Sequence, residues 1–197
     1  MYIKRIEINN FRIYKGKNIL NFDQKDSKNV FVISGYNGFG KTTLLTGLVW
    51  CLYGKNMQEV DKIYKEKILE KGGYKNYLKS SINFDAEKEN ERIFSIKLEL
   101  SDLNIPGMAF HNIEIERVCD SDKCVDKLFI KIDGETNELV EEVNEDIFIN
   151  DYILPKEIAK FFFFDAEKIS SIAEIKSLED KRSLSSAYSE VLGIKKY

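Results

Sequence analysis

Two rhythms of apolar residues run along this chain. Near the N-terminus, Ile6 and Ile8 bracket Glu7, with Ile3 and Phe11 on either side, and this pattern predicts a first strand. Ile19, Leu20 and Phe22 predict a second. Phe94, Ile96, Leu98 and Leu100 alternate with Ser95, Lys97 and Glu99, as a half-buried strand requires. Ile113 and Ile115 alternate with Glu114 and Glu116, and Leu128, Ile130 and Ile132 repeat the pattern. These runs lie close together and are separated by turn residues at Asn104 to Gly107, Asp120 to Lys123 and Asp133-Gly134. That spacing predicts antiparallel hairpins rather than βαβ units. Val30 to Ser34 is different: a continuous β-branched apolar run that predicts a buried parallel strand. Thr43 to Tyr53 is Leu-rich, lacks Pro and is stopped by Gly54, which predicts a helix.

The segment 55–92 is highly charged, with Gly72-Gly73 inside it, and reads as a helical insertion of two short helices or an excursion. Beyond it, Glu141 to Leu154 reads as helical and Pro155 opens a further short helix. Phe161 to Phe164 then predicts a strand buried on both faces, with Asp165 at its carboxyl end. Ser177, with Asp180 at the capping-box position, starts a last helix striped by Leu184, Ala187, Tyr188, Val191 and Leu192. The expected class is α/β: a mixed sheet with an antiparallel β portion and flanking helices.

At 197 residues, with 43% hydrophobic and 32% charged residues, the chain suits a globular fold. A net charge of −3 does not mark a general polyanion binder, and no apolar run is long enough to span a bilayer. Three cysteines, an odd and sparse set, suggest reduced thiols and a cytoplasmic protein. Cys119 and Cys124 read as two surface thiols in a strand-end loop.

The densest chemistry lies at Gly35-Tyr36-Asn37-Gly38-Phe39-Gly40-Lys41-Thr42, which matches G-x-x-x-x-G-K-[ST] between the expected strand and helix. Glycines let backbone N–H groups curl around phosphate oxygens, and the helix N-terminus adds partial positive charge. Asn37, Gly38, Phe39, Gly40, Lys41, Thr42 and Thr43 are therefore the candidate ATP or ADP site. In it, Lys41 would reach the β- and γ-phosphates and Thr42 would bind Mg²⁺. Phe39 contributes backbone there, so its side chain is expected to point outward. For the acidic residue of phosphoryl transfer, Leu128 to Asp133 looks like a strand-end turn, whereas Asp165, followed by Glu167, is better placed.

The form G-x-N-G-x-G-K-T-T, with Asn37 and Thr43, resembles ATPases of the SMC, RecF and SbcC group. Ile8-Asn9-Asn10-Phe11-Arg12 resembles their first strand, and Trp50 to Gly54 the end of their first helix. Phe162 to Glu167, and Gly73-Tyr74 through Ile82-Asn83, are similar to DndD-type ATPases of DNA phosphorothioation and restriction systems. Val191 to Ile194 resembles the entry to a coiled coil. The resemblance implies an ABC/SMC-type phosphate-loop lobe spanning 1–197, with the helix 177–197 leading towards a coiled coil. It also implies a C-terminal lobe of the same protein that carries the signature loop and acid pair, and a homodimer that sandwiches ATP. It assigns Arg12 to the nucleotide phosphates, and Lys41 and Asp165 to catalysis. Thr42 and Asp165 become the Mg²⁺ ligands, with Asp165 where many relatives have Gln.

Two other readings remain open: a self-contained ATPase or kinase using Asp165 and Glu167, and a nucleotide-sensing, DNA-docking module. Lys62, Lys65, Lys67, Lys71, Lys75 and Lys79, with Tyr74 and Tyr77 between them, form either a weak DNA-contacting patch or a solvated helical face. DNA is expected as a partner of a full SMC-like protein and only a weak one of this lobe; a membrane is not. His111 has no partner motif.

Overall fold

The structure is a computed structural model that describes residues 2–22, 30–102, 104–105, 108–109, 112–136, 140 and 144–163. Five strands form one sheet: β1 (Tyr2–Asn9), β2 (Lys17–Asn21), β3 (Ile93–Ser101), β6 (Asn112–Asp120) and β7 (Val125–Ile132). Between β3 and β6, β4 (Asn104–Ile105) and β5 (Met108–Ala109) pair with each other alone. The sheet order is β2-β1-β3-β6-β7, and every pairing is antiparallel. Register aligns Leu20, Ile6, Leu98, Ile115 and Ile130 in one row across it. These apolar side chains share a face because strand residues alternate sides. The opposite face is charged, with ion pairs Arg5–Glu99, Lys17–Glu7 and Lys97–Glu114. Glu114 accepts a hydrogen bond from Lys97, which raises the pKa of that ammonium.

Helix α1 (Lys41–Tyr53) lies on the apolar face, with nine of its thirteen residues buried. A helix buried on nearly all sides needs cover on its second side as well. The segment after it provides that cover. A 3₁₀ turn (Gly54–Asn56) leads into α2 (Met57–Val60), α3 (Lys62–Glu70), α4 (Tyr74–Lys79) and α5 (Phe84–Lys88). Met57, Val60, Tyr64, Ile68, Tyr77, Leu78 and Ile82 all join the core cluster. The charged insertion is thus four packed helices rather than an excursion: its apolar residues recur at helical spacing and its lysines stay in water. At the centre, Phe11 stacks on Trp50 at 5.7 Å, Trp50 meets Phe94 at 5.1 Å, and Trp50 Nε1 donates to the Tyr74 hydroxyl at 3.0 Å. Helix α6 (Glu145–Phe148), a π-helical turn (Ile149–Ile153) and α7 (Lys156–Phe162) close the described chain. Among the described residues, no helix is long and apolar enough to cross a membrane.

Three expectations are corrected. Val30 to Ser34 forms no strand, so the expected mixed sheet is antiparallel throughout among the described residues. A parallel strand needs parallel neighbours, and the described strands provide none. Val30 and Val32 are 84% and 85% exposed, and Phe31 meets Phe22 edge-on at 5.2 Å. Phe161 and Phe162 end helix α7 instead of starting a buried strand, and Phe162 is exposed. Pro155 pre-sets the helix start, and burial of Ile158 and Ala159 carries the helix into the phenylalanines. Cys119 is no surface thiol: it lies on the inward face of β6, fully buried, and burial pushes its pKa up to about 12. Phe164, Asp165, Glu167, His111 and the helix expected over 177–197 lie outside the described residues.

Candidate nucleotide-binding site

The phosphate-binding motif runs from an exposed segment into the N-terminus of α1. Gly38 and Gly40 have φ of 85° and 93°, left-handed values that side chains other than glycine rarely adopt. Gly40 is also enclosed: a Cβ there would sit 2.5 Å from Ile13 Cδ1 and 2.9 Å from the Tyr14 hydroxyl. Gly40 caps α1, and the Leu44 N–H donates back to its carbonyl at 2.8 Å. Lys41 and Thr42 open the helix and are both exposed. Lys41 Nζ donates to the Gly35 and Tyr36 carbonyls, at 2.5 and 3.0 Å, so the ammonium is folded back over its own loop. Thr43 is half-buried. Phe39 is exposed, as its position between the glycines suggests, and meets Tyr36 edge to face at 6.0 Å.

The turn after β1 packs directly against this loop. The Tyr14 hydroxyl donates to the Gly40 carbonyl at 3.2 Å, and burial raises its pKa. Arg12 stands two residues before Tyr14, in a left-handed conformation with φ 52°. Its N–H donates to the Ser81 carbonyl at 2.8 Å, and its own carbonyl accepts from Asn83 Nδ2 at 2.6 Å. The Arg12 guanidinium carbon lies 5.4 Å from the Phe11 ring centroid and 5.1 Å from that of Tyr77. The structure therefore brings the turn bearing Arg12 against Gly40, the residue that caps α1. Asp165, the second expected Mg²⁺ ligand, lies outside the described residues. Asp133 is a strand-end turn residue, as read from sequence: its carboxylate accepts from the Asn112 N–H at 2.9 Å.

The donor set suits a nucleotide polyphosphate and Mg²⁺: a helix N-terminus, a lysine ammonium, a threonine hydroxyl and a turn in which Gly38 and Gly40 take left-handed backbone angles.

Two residues of this region escaped the sequence reading. Tyr14 follows Arg12 on the same turn and carries no motif. Arg117 is 5% exposed and sits at the other end of α1. Its Nε donates to the Cys51 carbonyl at 2.9 Å, and its Nη1 pairs with Asp126 at 2.8 Å. Its Nη2 reaches the Leu52 carbonyl at 3.4 Å and Asp146 at 3.3 Å. The guanidinium thus caps the negative end of the helix that carries Lys41. The signal was present: Arg117 falls in the apolar phase of Ile113, Ile115 and Cys119.

The loop, the helix it opens and the antiparallel sheet define a phosphate-loop nucleotide-binding lobe. A family profile described as an AAA domain matches residues 5–197, and the chain belongs to that family, which groups it broadly with SMC-like ATPase lobes. No curated protein matches the chain.

Proposed function

We propose that this chain is the ATP-binding half of an SMC-like, DNA-associated ATPase of the DndD type, acting in DNA modification and restriction or repair. It would be cytoplasmic, and would hydrolyse ATP after pairing with a C-terminal lobe and dimerising across the nucleotide. The observation that carries the reading is the phosphate loop with its exposed approach. Val30 to Ile33, Tyr36 and Phe39 present large apolar side chains to solvent beside Lys41. An apolar, β-branched segment without a ladder fits strands supplied by a partner lobe.

In the assembled site, bound Mg²⁺ would neutralise charge on the β- and γ-phosphates. Thr42 and Asp165 are the residues assigned to hold it. Lys41 and the N–H groups of Asn37 to Thr43 would orient the phosphates, and Arg12 would approach them from its turn.

Turnover tests the proposal. The chain alone, dilute and monomeric, should hydrolyse ATP far below the usual enzyme range of ~1–10³ s⁻¹. Adding the C-terminal lobe should raise the rate and make it depend on protein concentration. A dilute monomer turning over within that range would instead support a self-contained enzyme.

For DNA, Lys62, Lys65, Lys71, Lys75 and Lys79 are exposed, whereas Tyr77 is buried and Tyr74 hydrogen-bonds to Trp50. Tyr77 is a core residue and Tyr74 packs half-buried against the core, so neither is a free stacking platform, which leaves phosphate contacts alone. Duplex binding by this lobe should be weak. Its log–log salt slope should be shallower than the value of about −5 that six lysines on phosphates would give. Binding unchanged after reversing several of these lysines to Glu would remove this face from the DNA interface.

A further inference from the structure

Tyr77 lies on α4, in the insertion, far in sequence from the phosphate loop, yet its ring and that of Phe11 both lie close to the Arg12 guanidinium. Tyr77 is 1% exposed, and its hydroxyl is buried with no hydrogen-bond partner. Burial raises the pKa of that phenol, and the nearby Arg12 charge works against the rise. A buried orphan hydroxyl is costly unless something compensates it. The same insertion grips the Arg12 backbone on both sides. The Ser81 carbonyl takes its N–H, Asn83 Nδ2 donates to its carbonyl, and the Asn83 N–H donates to the Asn10 carbonyl at 2.8 Å. Phe11 bridges to Ile82 in the same place. Arg12 is therefore fixed by the insertion, while the next two residues, Ile13 and Tyr14, rest on Gly40.

We propose that Tyr77 is a positioning residue for the nucleotide: its ring face holds the Arg12 guanidinium in the orientation that meets a bound polyphosphate. This rests on the reading that Arg12 contacts the phosphates. An arginine already ordered by flanking rings loses less freedom when an anion arrives, so the site binds more tightly. The packed 74–83 segment thereby becomes part of the nucleotide site.

A double-mutant cycle on affinity for a non-hydrolysable ATP analogue with Mg²⁺ tests this, using Arg12→Ala, Tyr77→Leu and the double variant, with thermal unfolding as the check on folding. Arg12→Ala should weaken binding about tenfold. Tyr77→Leu should weaken it several-fold when Arg12 is present and have no effect in the Arg12→Ala background. Tyr77→Phe, which keeps the ring, should recover most of the affinity. If Tyr77→Leu unfolds, Tyr77→Met carries the same cycle. Equal losses from the Tyr77 variant in both backgrounds, or no loss at all, would overturn the positioning role while leaving Arg12 as a phosphate ligand. An Arg12→Ala protein that binds like wild type would overturn the phosphate role of Arg12, and the positioning proposal with it.

Discussion

Arg117→Ala should cost the fold about 3–5 kcal/mol, the range for removing one partner of a buried ion pair. The guanidinium is 5% exposed and serves four acceptors: the Cys51 and Leu52 carbonyls and the carboxylates of Asp126 and Asp146. Without it, two carbonyls at the end of α1 lose their donor. Asp126, whose side chain is 13% exposed, keeps a charge with no counter-ion. The opposite carboxylate, Asp146, is 54% exposed and regains water, so most of the loss comes from Asp126 and the helix end. Arg117→Lys should lose less, because it keeps the charge, yet should not restore the wild type, because one ammonium cannot fork to all these acceptors. Gly54 belongs to the same arrangement: a Cβ there would lie 2.5 Å from Arg117 Nη1. Urea unfolding of wild type and Arg117→Ala measures the effect. A change within 1 kcal/mol would mean that solvent replaces the guanidinium and that the helix end is capped some other way.

The antiparallel strands were legible because period-two alternation is a property of the strand itself; β6 and β7 follow it residue by residue, β3 as far as Leu100, and β1 from Arg5 onward, past its register shift. The end of α1 was legible because Gly54 stops it, whereas the helix begins at Lys41, directly after the left-handed Gly40 and two residues before the expected Thr43. An apolar run shows that a segment can be buried but not which neighbour buries it. Val30 to Ile33 has the composition of a core strand but no described parallel neighbour. Phe161 and Phe162 have strand-like side chains, but Pro155 and the residues after it favour a helix. Tyr74 and Tyr77 looked like surface aromatics because lysines surround them in sequence. On a helix, the residues beside a buried tyrosine in sequence point elsewhere. Arg12 was picked out by resemblance alone; its clamp by Ser81, Asn83 and Tyr77 joins segments about seventy residues apart, which no local pattern encodes.

Lys41→Ala should weaken ATP binding tenfold or more. The ammonium is exposed, and in this structure it is satisfied by the Gly35 and Tyr36 carbonyls of its own loop. When a nucleotide arrives, it exchanges these neutral acceptors for phosphate oxygens. Each charge-assisted hydrogen bond so made is worth roughly 1.5–3 kcal/mol, and each 1.4 kcal/mol is about tenfold in affinity. Because the side chain lies in solvent, its loss should leave the unfolding transition nearly unchanged, so the defect would be one of binding. Calorimetric titration of Mg²⁺-ATP into the wild-type chain and into Lys41→Ala is the most direct test of the claim that this loop is a nucleotide site. The account predicts one site per chain in the wild type and at least a tenfold weaker isotherm in the variant. Equal affinities for the two proteins would contradict it.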